Sequence, residues 1–179
     1  MRDNDQSPSE FLHEIFASGR WQIAPGRALD LATGKGRNAL FLAQRGFDVV
    51  AIDVSAVALE EARKRADARS LRIFWRQENI ETLTLPEDCY DLVVNFNYLQ
   101  RSLMPQIKTA LKVGGHVIFE TYLVDQRVIG HPKNPAYLLE HNELLQHFRE
   151  FRVLYYREGK VAERGGAAFR AGILAQKST

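Results

Sequence analysis

Two aspartates and two glycines stand out in this sequence, because residues of these types at this spacing could bind a polar ligand. Asp30 lies four residues before Gly34, and Asp53 lies seventeen residues after Gly36. A glycine-rich turn lets a ligand approach the main chain closely, and the free N–H groups of a following helix attract polar ligands. A carboxylate at the end of the next strand can accept both hydroxyls of a ribose. These residues predict a site for a ligand that contains a nucleoside.

The segments around these residues alternate between strand and helix patterns. An apolar run over 26–32 predicts a buried strand, residues 37–45 a helix, and residues 47–53 a second strand that ends in Asp53. Further strands are predicted over 71–77, 90–97, 114–122, 151–158 and 167–177, and further helices over 10–18, 56–69, 102–112 and near 140–148. Such alternation indicates a parallel sheet with helices on both faces. Because the last two strands are joined by a short loop, we expect them to form an antiparallel hairpin.

The composition fits a single domain without special partners. The chain has 179 residues, a formal net charge of +2 and one cysteine. This balance gives no argument for nucleic acid, and neither a signal peptide nor a long apolar run is apparent. We therefore predict one domain over 1–179, in the cytoplasm and without a membrane partner, with residues 1–7 disordered. The five histidines have no metal-ligand spacing, so no metal site is predicted.

The glycine turn alone is compatible with two kinds of nucleoside cofactor. The run GKGRNA fits the G-x-G-x-x-A pattern of dinucleotide-binding folds. However, Asp30 would repel a pyrophosphate, no second domain is apparent, and a C-terminal hairpin is not expected in a dinucleotide fold. S-adenosyl-L-methionine has an adenosine, a sulfonium and an amino group but no phosphate, so it suits all three features better.

Four motifs resemble those of class I S-adenosylmethionine-dependent methyltransferases. The run DLATGKG resembles their motif D-x-G-x-G-x-G, with Ala32 in place of the first glycine, and AIDVS resembles the ribose-binding motif. YDLVVNFNYLQ resembles the fourth-strand motif, and ALKVGGHVIFETY the helix and fifth strand that follow. Within that superfamily the chain is most similar to the tellurite-resistance-type small-molecule methyltransferases. The resemblance implies a Rossmann-like α/β fold, with a seven-stranded, mostly parallel sheet and a C-terminal antiparallel hairpin.

The resemblance also implies which residues bind the cofactor. It assigns the amino group of the methionine portion to Asp30, the ribose to Asp53, and the adenine to Asn79 and Ile80, with Glu78 as the alternative to Asn79. Ala32 is compatible with the turn if its φ angle is negative. The complete predicted cofactor site comprises Asp30, Ala32, Thr33, Gly34, Gly36, Asn38, Asp53, Val54, Asn79, Ile80, Asn95 and Phe96.

The predicted reaction is in-line methyl transfer to a small molecule. The chain must mainly align the nucleophile with the methyl group and exclude water, and an acceptor that is already anionic needs no general base. We therefore assign no catalytic residue. From the topology we place the acceptor beside the 123–135 loop and the helix within 9–22 as a lid. The candidate acceptor-binding residues are Tyr98, Arg101, Tyr122 and His131, and His131 is the histidine considered as a base.

Two functions other than methyl transfer to a small molecule stay open. They are an NAD(P)-dependent oxidoreductase domain and a binding module that holds S-adenosylmethionine without transferring its methyl group. Methyl transfer to a nucleic acid is disfavoured, because the fourth strand is followed by NFNY rather than the Asn/Asp-Pro-Pro-aromatic loop of base-amine methyltransferases.

Overall fold

A seven-stranded sheet forms the centre of the molecule. A computed structural model describes residues 6–163 and 166–178 of the chain. The strands are β1 (Arg27–Leu31), β2 (Asp48–Asp53), β3 (Ile73–Gln77), β4 (Tyr90–Phe96), β5 (Leu111–Tyr122), β6 (Arg152–Glu163) and β7 (Gly166–Gln176). Their order across the sheet is β3-β2-β1-β4-β5-β7-β6. The predicted fold class is confirmed, because β1 to β5 are parallel and β7 runs antiparallel between β5 and β6.

Helices cover the sheet on two sides. They are α1 (Glu10–Ala17), α2 (Arg37–Ala43), α3 (Ala56–Asp67), α4 (Met104–Ala110), α5 (Gln126–Ile129) and α6 (Glu143–His147). The apolar residues of α1 and α2 pack in one buried cluster, and those of α4 and α6 pack in another. The carboxyl ends of β1 and β4 lie side by side, at the point where the strand order reverses. Open α/β sheets bind ligands in the crevice at this point.

The first helix is part of the core of one face. Phe11, Leu12 and Ile15 are fully buried in the same cluster as α2. The ring of Phe11 lies directly on β7, where a Cβ at Gly172 would come within 2.9 Å of the ring. The absence of a side chain at Gly172 therefore lets α1 sit close to the sheet. That α1 also acts as a lid stays a prediction.

Several predicted boundaries were wrong by a few residues. The predicted helix over 102–112 is a 3-10 turn over 101–103 followed by α4, and β5 begins at Leu111 rather than at Gly114. Leu111 is already in strand register with Tyr90, so pairing with β4 ends the helix early. The strand predicted over 151–158 continues to Glu163, so the last hairpin extends further toward its turn than predicted.

Two segments predicted without regular structure differ from expectation. The 123–135 loop contains α5, and a 3-10 turn begins at Pro135. At the N-terminus, the prediction of disorder for 1–5 lies outside the described residues. Gln6 is placed, and its side-chain oxygen accepts a hydrogen bond of 2.7 Å from Arg69.

The turn between β1 and α2 uses the left-handed backbone region three times. Gly34 and Gly36 have φ angles of 56° and 76°, as a glycine turn requires. Ala32 has a φ of 52°, so the expectation that its φ would be negative was wrong. A methyl side chain in this region clashes with the following carbonyl oxygen and costs about 1–2 kcal/mol. The turn therefore keeps the conformation of a glycine motif although its first glycine is replaced.

We predict that Ala32→Gly stabilises the folded protein. Removing the methyl group relieves the left-handed strain, and after the entropy cost of glycine a gain of about 0.5–1 kcal/mol remains. The same change at Ala58, in the right-handed backbone of α3, should instead lower the free energy of unfolding by about 0.5–1 kcal/mol. Chemical denaturation of both variants checks this. A loss of stability in Ala32→Gly equal to that in Ala58→Gly would contradict it.

Candidate functional site

The glycine turn is fixed by a carboxylate at the end of the neighbouring strand. The backbone N–H of Gly34 donates to Asp53 Oδ2 at 2.8 Å, and the N–H of Ser55 donates to Asp53 Oδ1 at 2.9 Å. Each oxygen of Asp53 thus has one backbone donor and one remaining lone pair. Asp53 is half-buried, so both lone pairs can still meet a ligand. The carboxylate is oriented before anything binds.

The start of α2 leaves no room for a side chain in the turn. Gly36 precedes the helix, and a Cβ there would come within 2.8 Å of the Trp75 ring and 3.0 Å of Ala62. A Cβ at Gly34, by contrast, would meet nothing within 4 Å. Gly36 therefore serves packing and backbone conformation, whereas Gly34 leaves open space above the turn.

Asp30 is a buried carboxylate close to this turn. It is 1% exposed and accepts a hydrogen bond of 2.5 Å from the Thr33 hydroxyl. Burial raises the pKa of Asp30 to about 7, although Thr33, the backbone N–H of Ala39 and the charge of Arg37 act in the opposite direction. A carboxylate held in this way is stabilised in its charged form by any cation that comes near it.

A second buried acceptor lies at the end of β4. Asn95 is 1% exposed, and its side-chain N–H donates to the carbonyl oxygen of Tyr98 at 2.7 Å. Its Oδ1 has no hydrogen-bond partner within the described part of the chain. Buried polar atoms are nearly always paired, so an orphaned amide oxygen at a strand end indicates a missing donor.

An uncovered apolar side chain follows Asp53. Val54 is 64% exposed, whereas Ile80, which follows β3, is buried. Asn79 lies at the start of the connection from β3 to β4, and its Oδ1 accepts a hydrogen bond from the Glu81 backbone N–H at 3.0 Å. Burial raises the pKa of Tyr98, which follows β4, and the charges of Glu81 and Asp53 act in the same direction. Because β2, β3 and β4 run parallel in one sheet, the residues that follow them lie at the same edge of that sheet.

The side-chain amide of Asn38, a predicted cofactor-binding residue, forms hydrogen bonds within the protein. Its Oδ1 accepts from the Ser9 backbone N–H at 2.8 Å, and its side-chain N–H donates to the Ser9 hydroxyl at 3.2 Å. Arg37 also donates to this hydroxyl, at 3.2 Å. Ser9 stands at the N-cap position of α1, but its side chain makes no capping hydrogen bond there. It ties the start of α1 to the start of α2 instead.

The predicted acceptor residues do not form one group. Arg101 donates to both carboxylate oxygens of Glu143, at 2.7 and 2.9 Å, and to the carbonyl oxygens of Ala136 and Leu138. It would have to leave these partners to bind an acceptor. His131 is exposed in the loop. These two assignments stay predictions that the contacts do not favour.

A cavity of about 570 Å³ lies elsewhere, between the N-terminal segment and the sheet. It opens beside the start of α2 and the residue that follows β4, and most of its lining is charged or polar. The lining residues are Ser7, Pro8, Ser9, Glu10, His13, Arg37, Phe41, Arg45, Asn97, Glu120, Arg157, Val161, Glu163 and Arg170.

Two arginines on the last hairpin are fixed in the wall of this cavity. Arg170 donates to Asn97 Oδ1 at 2.6 Å, pairs with Glu163 and lies 4.0 Å from the centre of the Tyr122 ring. Of the predicted acceptor residues, Tyr122 is therefore the one in contact with the cavity wall. Arg157 donates to Glu120 Oε2 at 2.8 Å.

Sequence reasoning missed these cavity residues, because they lie on strands far apart in the chain. A signal was nevertheless present. Glu120 and Arg170 are charged residues within strand segments that are otherwise buried and apolar. Buried charges are rare in such positions unless they are paired or functional. The acceptor had been placed by topology beside the 123–135 loop, whereas the cavity lies beside α1 and α2.

Residues 6–163 and 166–178 contain no cluster of three or more His, Cys, Asp or Glu side chains that could hold a metal ion. None of the described helices has the length and apolarity needed to cross a bilayer.

Comparison with known proteins links this geometry to one family. Residues 28–115, from β1 into β5, match the family model of a methyltransferase domain. The chain is 27% identical over 143 residues to a probable S-adenosyl-L-methionine-dependent methyltransferase, TehB, of Haemophilus influenzae, covering 76% of this chain and 49% of that protein. It is 35% identical over 115 residues to the ubiquinone/menaquinone biosynthesis C-methyltransferase UbiE of Zymomonas mobilis, covering 58% of this chain and 47% of UbiE.

Solved structures agree in fold. The crystal structure of TehB from Haemophilus influenzae superposes with a TM-score of 0.81 at 22% identity, covering 96% of this chain and 63% of TehB. This chain spans about half the length of the curated relatives it matches. Residues 28–115 thus match a methyltransferase domain, and the chain is similar in sequence and in fold to the probable S-adenosylmethionine-dependent methyltransferase TehB.

Proposed function

We propose that this chain transfers the methyl group of S-adenosyl-L-methionine to a small polar molecule bound in the cavity beside α1 and α2. The observation that carries the proposal is the pair of carboxylates around the glycine turn. Asp53 is oriented by two backbone N–H groups, and Asp30 is buried with spare acceptor capacity. They stand at the ends of neighbouring strands, as a ligand with a ribose at one end and an ammonium group at the other requires.

The residues around Asp53 fit the adenosine portion of the cofactor. Both carboxylate oxygens keep a lone pair for the two ribose hydroxyls. Val54 leaves an apolar surface uncovered beside them, which suits the face of an adenine ring. The resemblance assigns the adenine edge to Asn79, whose side-chain N–H makes no hydrogen bond within the described residues.

The residues around Asp30 fit the methionine portion. Asp30 supplies negative charge, and the orphaned Asn95 Oδ1 supplies a further acceptor that a ligand or a water molecule can satisfy. A phosphate group would gain nothing from these acceptors, since carboxylate and amide oxygens repel it. This donor and acceptor set supports S-adenosylmethionine over a dinucleotide. When bound, the cofactor supplies an activated methyl group.

The chain contributes alignment and shielding to the reaction. The cavity begins at Arg37 and Asn97, next to the methionine end of the proposed cofactor site, and extends over β5. An acceptor held there approaches from the side of β4 and β5. Positioning of this kind supplies a large part of the rate acceleration in displacement reactions. The contact of Ser9 with Asn38 closes the cavity on the side of α1.

The charged lining of the cavity indicates the class of acceptor. Four arginines and three glutamates face it, against few apolar side chains. An apolar acceptor would have to remove water from these charges without replacing their hydrogen bonds. The acceptor proposed here is therefore small and polar, unlike the quinones named for UbiE. That the protein acts in the cytoplasm stays a prediction from the sequence.

We predict that Asp53→Asn weakens binding of S-adenosylhomocysteine roughly 10- to 100-fold, because hydrogen bonds to a charged acceptor contribute about 1.5–3 kcal/mol. Isothermal calorimetry measures the affinity, and thermal unfolding verifies the fold. Asp48→Asn, at the exposed opposite end of β2, is the matched control and should bind normally. Equal affinity of the two variants would argue against a ribose at Asp53.

The alternative function, an NAD(P)-dependent oxidoreductase, predicts that the protein binds NADP rather than S-adenosylhomocysteine, whereas the proposed function predicts the reverse. Titration of the wild-type protein with NADP should give no binding heat, because Asp30 disfavours a pyrophosphate at the turn. Binding of NADP in place of S-adenosylhomocysteine would replace the proposed function. Binding of S-adenosylhomocysteine without methyl transfer to any acceptor would favour the binding-module alternative.

A further prediction concerns the proton on Asp30. With a pKa of about 7, its carboxyl is largely protonated at lower pH in the unliganded protein. The ammonium group of S-adenosylhomocysteine favours the ionised form, so binding near pH 6 should release close to one proton, and affinity should rise with pH up to about 7. Calorimetry in buffers of different ionisation enthalpy counts the released protons. The Asp30→Asn variant should release none, and a wild-type binding heat independent of buffer would contradict the assignment.

A further inference from the structure

We propose that Glu120 binds the acceptor through a hydrogen bond from the atom to be methylated, and takes the proton of that atom during transfer. The acceptor would then be a small polar molecule with a nucleophilic hydroxyl or amine. This inference rests on the proposed function and narrows its substrate class.

Glu120 lies in the sheet row that forms the floor of the cavity. Strand pairing aligns Phe96 of β4, Glu120 of β5, Gly172 of β7 and Arg157 of β6. Since paired residues of neighbouring strands point to the same face, Glu120 faces the side of the sheet that α1 and α2 cover. The backbone N–H of Asn97 donates to the Glu120 carbonyl oxygen at 3.0 Å. The carboxylate thus stands beside the end of β4, where the methionine end of the cofactor site meets the cavity.

One oxygen of Glu120 is committed to the protein and the other is free. Arg157 donates two hydrogen bonds to Oε2, at 2.8 and 3.3 Å. No hydrogen bond reaches Oε1 from the described residues. Glu120 is 4% exposed and lines the cavity, so the second oxygen is available to a molecule held there. The cavity thus gives a bound molecule access to a carboxylate oxygen whose neighbour is already held by the protein.

Arg157 holds this carboxylate in one orientation. Its guanidinium also donates to Glu14 of α1 at 2.8 Å and lies 4.6 Å from the centre of the Phe11 ring. Arg157 is held by one residue of β5 and two of α1, so it cannot rotate away without loss of all three contacts. Glu120 is therefore preorganised, as a group that accepts a proton in the transition state should be.

The surrounding charges keep Glu120 a usable base. Burial raises the pKa of Glu120 above its ordinary value, and Glu163 of β6 acts in the same direction, while Arg157 of β6 and Arg170 of β7 oppose it. From α1, Glu14 faces Arg157 rather than Glu120 itself. A carboxylate with a raised pKa is a stronger base than a solvent-exposed one, and the charges of Arg157 and Arg170 favour its ionised form.

The methyl transfer requires no reactant besides S-adenosylmethionine, the acceptor, the Glu120 carboxylate and water. A lone pair of the acceptor oxygen or nitrogen forms a bond to the methyl carbon as the bond from that carbon to sulfur breaks. The electron pair of the broken bond stays on sulfur, which becomes the neutral thioether of S-adenosylhomocysteine. The proton of the acceptor atom passes to Glu120 Oε1 and later to water.

The experiment compares the wild-type protein with Glu120→Gln and Glu14→Gln. Each is incubated with S-adenosylmethionine labelled in its methyl group and a small-molecule extract of bacterial cells. The labelled product is purified, and its methylated atom is identified. We expect an O-methyl or N-methyl product, formed roughly 100-fold or more slowly by Glu120→Gln. Affinity for S-adenosylhomocysteine should not change. Glu14→Gln removes one of the partners that hold Arg157 but leaves the Glu120 carboxylate in place, so it should slow the transfer far less than Glu120→Gln does.

A spectroscopic readout tests the contact without turnover. In the complex with S-adenosylhomocysteine, the ¹³C resonance of the Glu120 carboxyl should shift when the purified acceptor is added, and that of Glu150, an exposed glutamate outside the cavity, should not. Equal product formation by Glu120→Gln and wild type would overturn the inference alone, as would an equal loss of rate in Glu14→Gln or an acceptor atom that carries no proton. If the wild-type protein labels nothing, the proposed function fails and this inference falls with it.

Discussion

The hydrogen bond from the Gly34 backbone to the Asp53 carboxylate holds the proposed cofactor site together. It joins the turn after β1 to the end of β2, two strands that are already paired. The donor can reach the carboxylate because Gly34 adopts a left-handed φ angle. The geometry of the turn and the orientation of the proposed ribose acceptor both depend on this contact, which the Ser55 N–H supports from the other carboxylate oxygen.

The sheet order separates the proposed site into two chemically different halves. Over β1 and β2 lie single carboxylates with free acceptor capacity and an uncovered valine, which suit one neutral-to-cationic nucleoside. Over β5, β7 and β6 lie paired charges, in which each arginine is held by glutamates. Because β7 alone runs antiparallel to the other strands, the end of β6 and the start of β7 both lie at the carboxyl edge of the sheet. This topology brings a second set of charged side chains beside the first.

Most of the fold and of the cofactor half could be predicted from the sequence. Both depend on local signals, such as the alternation of apolar segments, the two glycines and the acids at strand ends. The acceptor half could not be predicted in the same way. Glu120, Arg157 and Arg170 meet only through strand register, and Ser9 reaches Asn38 across 29 positions of the chain. The boundary of β5 was missed because Leu111 pairs with Tyr90, a tertiary contact that overrides the helical pattern before it.

Gly172 leaves room for the Phe11 ring, and this contact affects the order in which the chain folds. Phe11 packs on β7 and stacks on Tyr155 of β6, so α1 is buried against strands that lie far from it along the chain. Until these strands are in place, the Phe11 ring has no sheet surface on which to be buried. Contacts between such distant segments form slowly, because a long loop must close first. One face of the core is therefore completed only when α1 and the β6–β7 hairpin come together.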